Sequence, residues 1–133
     1  MFLDTAPIIY FVERHPRYFA VVSPIFERID DDELSPVVSP ITLAECLVHP
    51  YRMGHTEAVL MFRELLTHRM RLVHIEETIA SQAAELRARY NLSLPDAFQC
   101  AVALSAGCDA FLTNDIDLQR VIELNVVVLD DLR

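Results

Sequence analysis

Glycine is almost missing from this chain: Gly54 and Gly107 are the only two in 133 residues. Sandwiches and barrels built from many tight turns draw heavily on glycine, so its scarcity favours long helices joined by economical connections. Lysine is absent altogether, and the eleven basic residues are all arginine. Against them stand twenty Asp and Glu, for a formal net charge of −9. That is not the electrostatic footprint of a protein that binds nucleic acid through positive charge alone. An acidic protein can still act on a polyanion if it first binds divalent cations, which reverse the sign of the field where a phosphate must sit. No apolar run approaches the roughly 18 residues that a membrane helix needs, and Met1-Phe-Leu-Asp4 lacks the basic start of a signal peptide. Cys46, Cys100 and Cys108 are odd in number, show no CxxC spacing and each lie in an apolar stretch. Reduced, buried thiols in a cytoplasmic protein are the expectation.

Apolar residues make up 53% of the sequence, enough for one domain over 1–133 to bury a core without disulfides or a structural metal. Repeats, low-complexity segments and linkers are absent. Met1 to Leu3 reads as a short buried strand. Tyr18, Val22, Ile25, Phe26 and Ile29 fall on one helical face, and Asp30-Asp31-Asp32-Glu33 ends that helix as a solvated turn. Pro36 to Ile41 predicts a second strand, made irregular by its prolines, with a short helix from near Thr42. A helix with Val59, Phe62, Leu65 and Leu66 inward follows, then a strand over Arg71 to Ile75. Ile79, Ala83, Leu86 and Tyr90 mark the next helix. Ser93-Leu-Pro-Asp96 is a helix start, with Ser as cap and Pro in the first turn, and Gly107 stops that helix. Ala110 to Leu112 and Val126 to Leu129 are two further short strands. Short apolar strands alternating with helices imply a three-layer α/β/α fold around a parallel sheet of about five strands. Right-handed crossovers then bring the C-terminal ends of those strands to one edge, where open α/β sheets bind ligands.

Four acids map to that edge. Asp4 follows the first strand, Glu45 lies in the first turn of the helix after the second, Asp96 opens the helix at Pro95, and Asp115 follows the fourth strand through Thr113 and Asn114. Each has an ordinary explanation by itself: Asp4 can cap the next helix, Glu45 and Asp96 can answer a helix dipole, and Asn114 and Asp115 can cap a turn. Their joint placement is what carries weight. Clustered carboxylates repel, and a hard cation such as Mg²⁺ or Mn²⁺ is the usual reason to keep them together. Such an ion can activate a water and neutralise a phosphodiester under attack.

The same residues carry a resemblance. Phe2-Leu-Asp4-Thr-Ala-Pro-Ile-Ile-Tyr10, Ser39-Pro-Ile-Thr-Leu-Ala-Glu45, Leu94-Pro-Asp96-Ala-Phe-Gln-Cys-Ala101 and Phe111-Leu-Thr-Asn-Asp115-Ile-Asp117-Leu118 resemble, in order and spacing, the four motifs of PIN domains. A chain of this size is similar to the VapC-type toxins of toxin–antitoxin pairs. The resemblance implies a PIN-like fold and a Mg²⁺- or Mn²⁺-dependent endoribonuclease, in which a metal-activated water opens the RNA backbone. It also implies a homodimer restrained by a small antitoxin. It makes Asp4, Glu45, Asp96 and Asp115 the catalytic metal ligands. Thr5, Thr113 and Asn114 become their hydrogen-bonding support, and Asp117 either assists through water or caps the short helix after it. Ala6-Pro7, where many members have Asn or Ser, and Leu118, where Phe is common, depart from the pattern. Arg14, Arg17, Arg52 and Arg120 are candidates for RNA contact, and Val59 to Leu66 for a dimer face.

Rival classes lack a required part. A phospho-acceptor receiver and a dehalogenase-type phosphatase both need a lysine, a P-loop enzyme needs GxxxxGK, and a Rossmann domain needs its glycines. The five histidines form no HExxH. A flap-type nuclease would carry additional helical arches. The main alternative is an inactive PIN-fold module that binds RNA or an antitoxin, although such a module has no need to keep four repelling acids.

Overall fold

In the computed structural model, which describes residues 1–133, alternation within strands only two or three residues long decides the architecture. β1 (Phe2–Leu3), β2 (Val37–Val38), β3 (Arg71–Leu72), β4 (Phe111–Thr113) and β5 (Val126–Val128) form one parallel sheet in the order β3-β2-β1-β4-β5. Phe2 lies in register with Val37 on one side and Phe111 on the other, and Leu3 lies opposite Leu112. Successive side chains on a strand point to opposite faces. Phe2, Val37 and Phe111 therefore enter one core, where α5 (Glu77–Tyr90) and α6 (Leu94–Ser105) pack through Ile79, Ala83, Leu86, Ala97 and Cys100. Leu3, Val38 and Leu112 enter the other. That core is covered by α1 (Thr5–Val12), α2 (Phe19–Asp30), α3 (Pro40–Arg52) and α4 (Thr56–His68) through Ile8, Val22, Cys46, Phe62 and Leu66. The result is the expected three-layer α/β/α arrangement with a five-stranded parallel sheet.

Several boundaries differ from the sequence reading. β2 covers only Val37–Val38, because Pro36 and Pro40 have no N–H to give a ladder and Ser39 turns to cap a helix. α3 accordingly starts at Pro40 rather than near Thr42, with Thr42 completing a capping box with Ser39. Glu45 thus lies in the second turn, not the first. β3 stops at Leu72, although Val73 still donates to the Val38 carbonyl. α6 begins and ends as its signals require: the Ser93 side chain accepts from the Asp96 N–H, and Gly107, at φ +68°, takes the left-handed conformation after the last turn. The acidic turn after α2 is held by ion pairs of Arg28 with Glu33 and Arg69 with Asp30. On α4, Val59, Phe62 and Leu66 face the core, so within the segment offered as a dimer face the exposed side chains are Leu60, Met61, Arg63 and Glu64. Cys46 and Cys100 are buried, and Cys108 is partly so. Loss of solvation pushes the Cys46 and Cys100 thiols up to about 12, which leaves them protonated and inert. No helix is long and apolar enough to cross a membrane.

Sheet order positions the site. The chain builds β1, β2 and β3 outward in one direction, then α5 and α6 carry it back to place β4 on the other side of β1. The crevice above the C-terminal ends of β1 and β4 is the point where strand order reverses, the usual ligand position in open α/β sheets. Phe2 and Phe111 stack across this central pair with centroids 5.0 Å apart, both fully buried. Phe111→Ala is expected to cost about 3–5 kcal/mol of unfolding free energy, as for other buried aromatic truncations. Urea denaturation checks this, and a loss under 1 kcal/mol would mean the stack is not central to the core.

Candidate active site

Asp4 leaves β1 and is fixed immediately. Its backbone N–H donates to the Leu112 carbonyl at 2.9 Å, which ties it to the end of β4. Its side chain caps α1: Oδ1 accepts from the Thr5 N–H at 2.9 Å. Pro7 in the same first turn has no N–H to cap, so the second carboxylate oxygen stays free for another partner. That partner is the Thr113 hydroxyl, which donates to Oδ2 at 2.8 Å while accepting from the Asp115 N–H at 3.0 Å. The Thr5 hydroxyl in turn donates to Glu45 Oε1 at 2.8 Å. One continuous path thus runs from Asp115 through Thr113, Asp4 and Thr5 to Glu45, drawing on β4, β1, α1 and α3. Each threonine hydroxyl thus donates to a carboxylate, Thr113 to Asp4 and Thr5 to Glu45.

Asp96 enters from the opposite layer, on the first turn of α6, where its backbone N–H donates to the Ser93 hydroxyl at 3.2 Å. It belongs to the group by charge. The Asp4 carboxyl is pushed up to about 6, first by burial, with the Thr113 and Thr5 hydrogen bonds opposing and the Asp96 and Glu45 charges adding to the rise. Asp96 is also raised, by burial first and with Asp115 adding to it against the Ser93 hydrogen bond. The charges of Asp96 and Glu45 thus act on Asp4, and that of Asp115 acts on Asp96.

The side chains of Asn114 and Asp117 form no hydrogen bond with the four acids. Asn114 turns inward, its Nδ2 donating to the Tyr10 hydroxyl at 3.3 Å, and its Oδ1 is buried without a partner. Asp117 does not cap the short 3-10 helix Ile116–Arg120. Asp115 does, accepting from the Asp117 N–H at 3.0 Å, because the cap position precedes the turn rather than lying inside it. The Asp117 side chain is exposed. The four candidate arginines are also exposed: Arg14 and Arg17 lie over the Phe19 and Tyr18 rings, and Arg120 donates to the Asn91 carbonyl at 3.4 Å. Sequence reading missed Gln99, which is buried on α6 and bonded to Ser39 and Thr42. A polar residue on the inward face of a helix otherwise lined by Ala97, Cys100 and Ala101 was the available signal.

No three Asp, Glu, His or Cys side chains converge into a ready-made metal cage. An all-oxygen set that stands slightly open fits Mg²⁺ or Mn²⁺, which keep several waters and reach carboxylates directly or through them. It does not fit a metal that requires nitrogen or sulfur ligands.

A pH dependence follows without any metal. The Asp4 carboxyl is raised in the folded state, so between pH 4 and 6 the folded protein holds more proton than the unfolded chain. Its contribution therefore destabilises progressively as pH rises through that window and is constant above it. Asp4→Asn removes the penalty and is expected to stabilise the protein in EDTA at pH 7.5 by about 1–2 kcal/mol, part of the gain being lost with the Thr113 bond. The difference in urea stability between the two proteins should grow from pH 4 to 6 and then level off. A difference that does not vary with pH would contradict the assigned burial.

A family model of the PIN domain matches residues 1–124. Among solved structures, the fold is similar to a toxin–antitoxin complex from Klebsiella pneumoniae, with a TM-score of 0.76 and 21% identity over 96% of each chain. It is similar to VapBC2 from Rickettsia felis bound to a promoter DNA fragment, at a TM-score of 0.74 and 17% identity over 96% of each chain. A third neighbour is the sarcin–ricin-loop-cleaving toxin VapC20 of Mycobacterium tuberculosis, at 0.73 and 18% identity over 90% of this chain and 93% of that one. No curated protein sequence matches. With the family match spanning residues 1–124, the chain belongs to the PIN domain family.

Proposed function

We propose that this protein is a Mg²⁺- or Mn²⁺-dependent endoribonuclease and the toxin of a toxin–antitoxin pair. The observation that carries the proposal is the hydrogen-bonded path from Asp115 to Glu45 through Asp4, with the Asp96 charge acting on Asp4, at the crevice between β1 and β4. In this reading Asp4, Asp96 and Asp115 hold the principal ion and Glu45 helps hold it or a second one. Thr5 and Thr113 fix the carboxylate orientations, Asn114 supports the turn that carries Asp115, and Asp117 stands at the rim. A bound divalent ion supplies activation of water and neutralisation of phosphate charge. The protein supplies the rest. Buried, Asp4 is costly to ionise by itself, so a cation recovers an electrostatic cost already built into the fold. The negative edge repels RNA until that cation is present, which makes cleavage conditional on metal.

The neighbours that are toxin–antitoxin complexes support a protein partner here as well. An apolar groove of about 410 Å³ between α1, α2 and α4, lined by Phe11, Val12, Phe19, Met61 and Leu65, offers such a partner a seat. A second copy of the chain has a separate exposed apolar surface available at Val48, Tyr51 and Met53 near the end of α3. Protonated, buried thiols suit a cytoplasmic setting.

The test is cleavage of an RNA pool by the partner-free protein in Mg²⁺, Mn²⁺ or EDTA. Cutting is expected only with metal, leaving 5′-phosphate and 3′-hydroxyl ends. Asp4→Asn and Asp96→Asn should each lower the rate by at least about a hundredfold, as loss of a metal ligand or its orientation does. A 2′,3′-cyclic phosphate product would overturn the hydrolytic reading, and absence of any cutting by folded, metal-loaded protein would favour a binding module.

A further inference from the structure

Three buried polar side chains at the start of α3 and on α6 belong to none of the steps above. Ser39 and Thr42 are fully buried at the start of α3, and Gln99 is 1% exposed on α6. Ser39 Oγ donates to Gln99 Oε1, Gln99 Nε2 donates to Thr42 Oγ1 at 2.8 Å, and the Ser39 N–H donates to Thr42 Oγ1 at 3.2 Å. Ser39 Oγ also accepts from the N–H groups of Ile41 at 3.0 Å and Thr42 at 3.3 Å. No polar atom of the three is left without a partner. A buried network this complete holds one geometry, since any shift strands a donor or acceptor away from water.

Its position gives that rigidity a use. α3 packs on the Leu3 face of the sheet and α6 on the Phe2 face, so the Gln99–Thr42 bond crosses the sheet edge and joins two opposite layers. Residues three apart on a helix share a face. Gln99 lies three residues after Asp96, and Thr42 three residues before Glu45. Joining Gln99 to Thr42 therefore aligns the face of α6 that carries Asp96 with the face of α3 that carries Glu45. Asp96 needs such a fixture, because unlike Asp4, Glu45 and Asp115 it has no place in the threonine-linked path.

We infer that Gln99, with Ser39 and Thr42, is a clamp between layers that sets the spacing of Asp96 from Glu45, and that Gln99 is a positioning residue for cation binding. The cation part of this inference rests on the function proposed above; the clamp itself does not. The experiment uses the full chain without metal and compares wild type with Gln99→Met, which keeps length and loses both bonds. Spin labels on the exposed residues Ala44 of α3 and Ser105 of α6, with Cys108→Ser as background, read the interhelix distance. Calorimetric titration with Mn²⁺ reads affinity, with Asp96→Asn as the reference for the site.

The clamp predicts a broadened or displaced distance distribution in Gln99→Met and Mn²⁺ affinity weaker by about tenfold, the lower end for lost support around a metal. Unchanged distance and unchanged affinity overturn it. Should wild type bind no Mn²⁺, or bind it equally after Asp96→Asn, the metal site falls while the distance measurement still decides the clamp. Should Gln99→Met fail to fold, Thr42→Val and Thr42→Ser replace it. The clamp requires Val to widen the distance distribution and Ser, which retains the hydroxyl, to preserve it; the same behaviour from both overturns it.

Discussion

Like charges gathered at the end of a parallel sheet are the constraint to which the rest of this structure answers. Asp4 is the acid most withdrawn from water, and it is held there by three bonds: its own N–H to Leu112, and its two carboxylate oxygens to Thr5 and Thr113. The Thr5 and Thr113 bonds lower its pKa, and burial outweighs them. The fold thus keeps a carboxylate where it ionises reluctantly, with the charges of Asp96 and Glu45 adding to that reluctance. Hydrophobic packing on both faces provides the stability that tolerates this, through two cores of similar size separated by the sheet.

The short strands are part of the same solution. β1 and β2 contribute two residues each to the ladder, one side chain to each core, and then release the backbone directly into helix caps at Asp4 and Ser39. Because each strand ends where its helix begins, the capping residues lie at the sheet edge rather than in long loops, and their side chains are placed by backbone hydrogen bonds. β4 ends similarly, with Thr113 and Asp115 turning into a capped 3-10 helix. The geometry of the acids on such a frame depends on strand register more than on loop conformation.

Much of this was legible in the residues. Ser93-Leu-Pro-Asp96 declares its cap and its first-turn proline, and both are present. Phe111 to Thr113 followed by Asn114 and Asp115 reads as a strand feeding a turn, and does so in three dimensions. What could not be read depended on neighbours distant in sequence. Pro36 and Pro40 blurred β2, and only the hydrogen bonds of Ser39 show that the chain has already left the sheet. Val59, Phe62 and Leu66 form an apolar stripe that could face a core or another copy; the choice depends on what lies opposite, here α3 and the Leu3 face of the sheet. Asp117 and Asp115 are both plausible caps by type, and the backbone decided for Asp115. Gln99 drew no notice because its partners, Ser39 and Thr42, are about sixty residues away.

The most direct test of the central claim, that these four acids form one cation site, is an anomalous difference map from crystals soaked in Mn²⁺. The account predicts its strongest peak at the C-terminal ends of β1 and β4, among Asp4, Asp96 and Asp115 and within reach of Glu45 directly or through water. A fully soaked crystal with no peak there, or with its strongest peak at the Asp30–Asp32 turn, would contradict it.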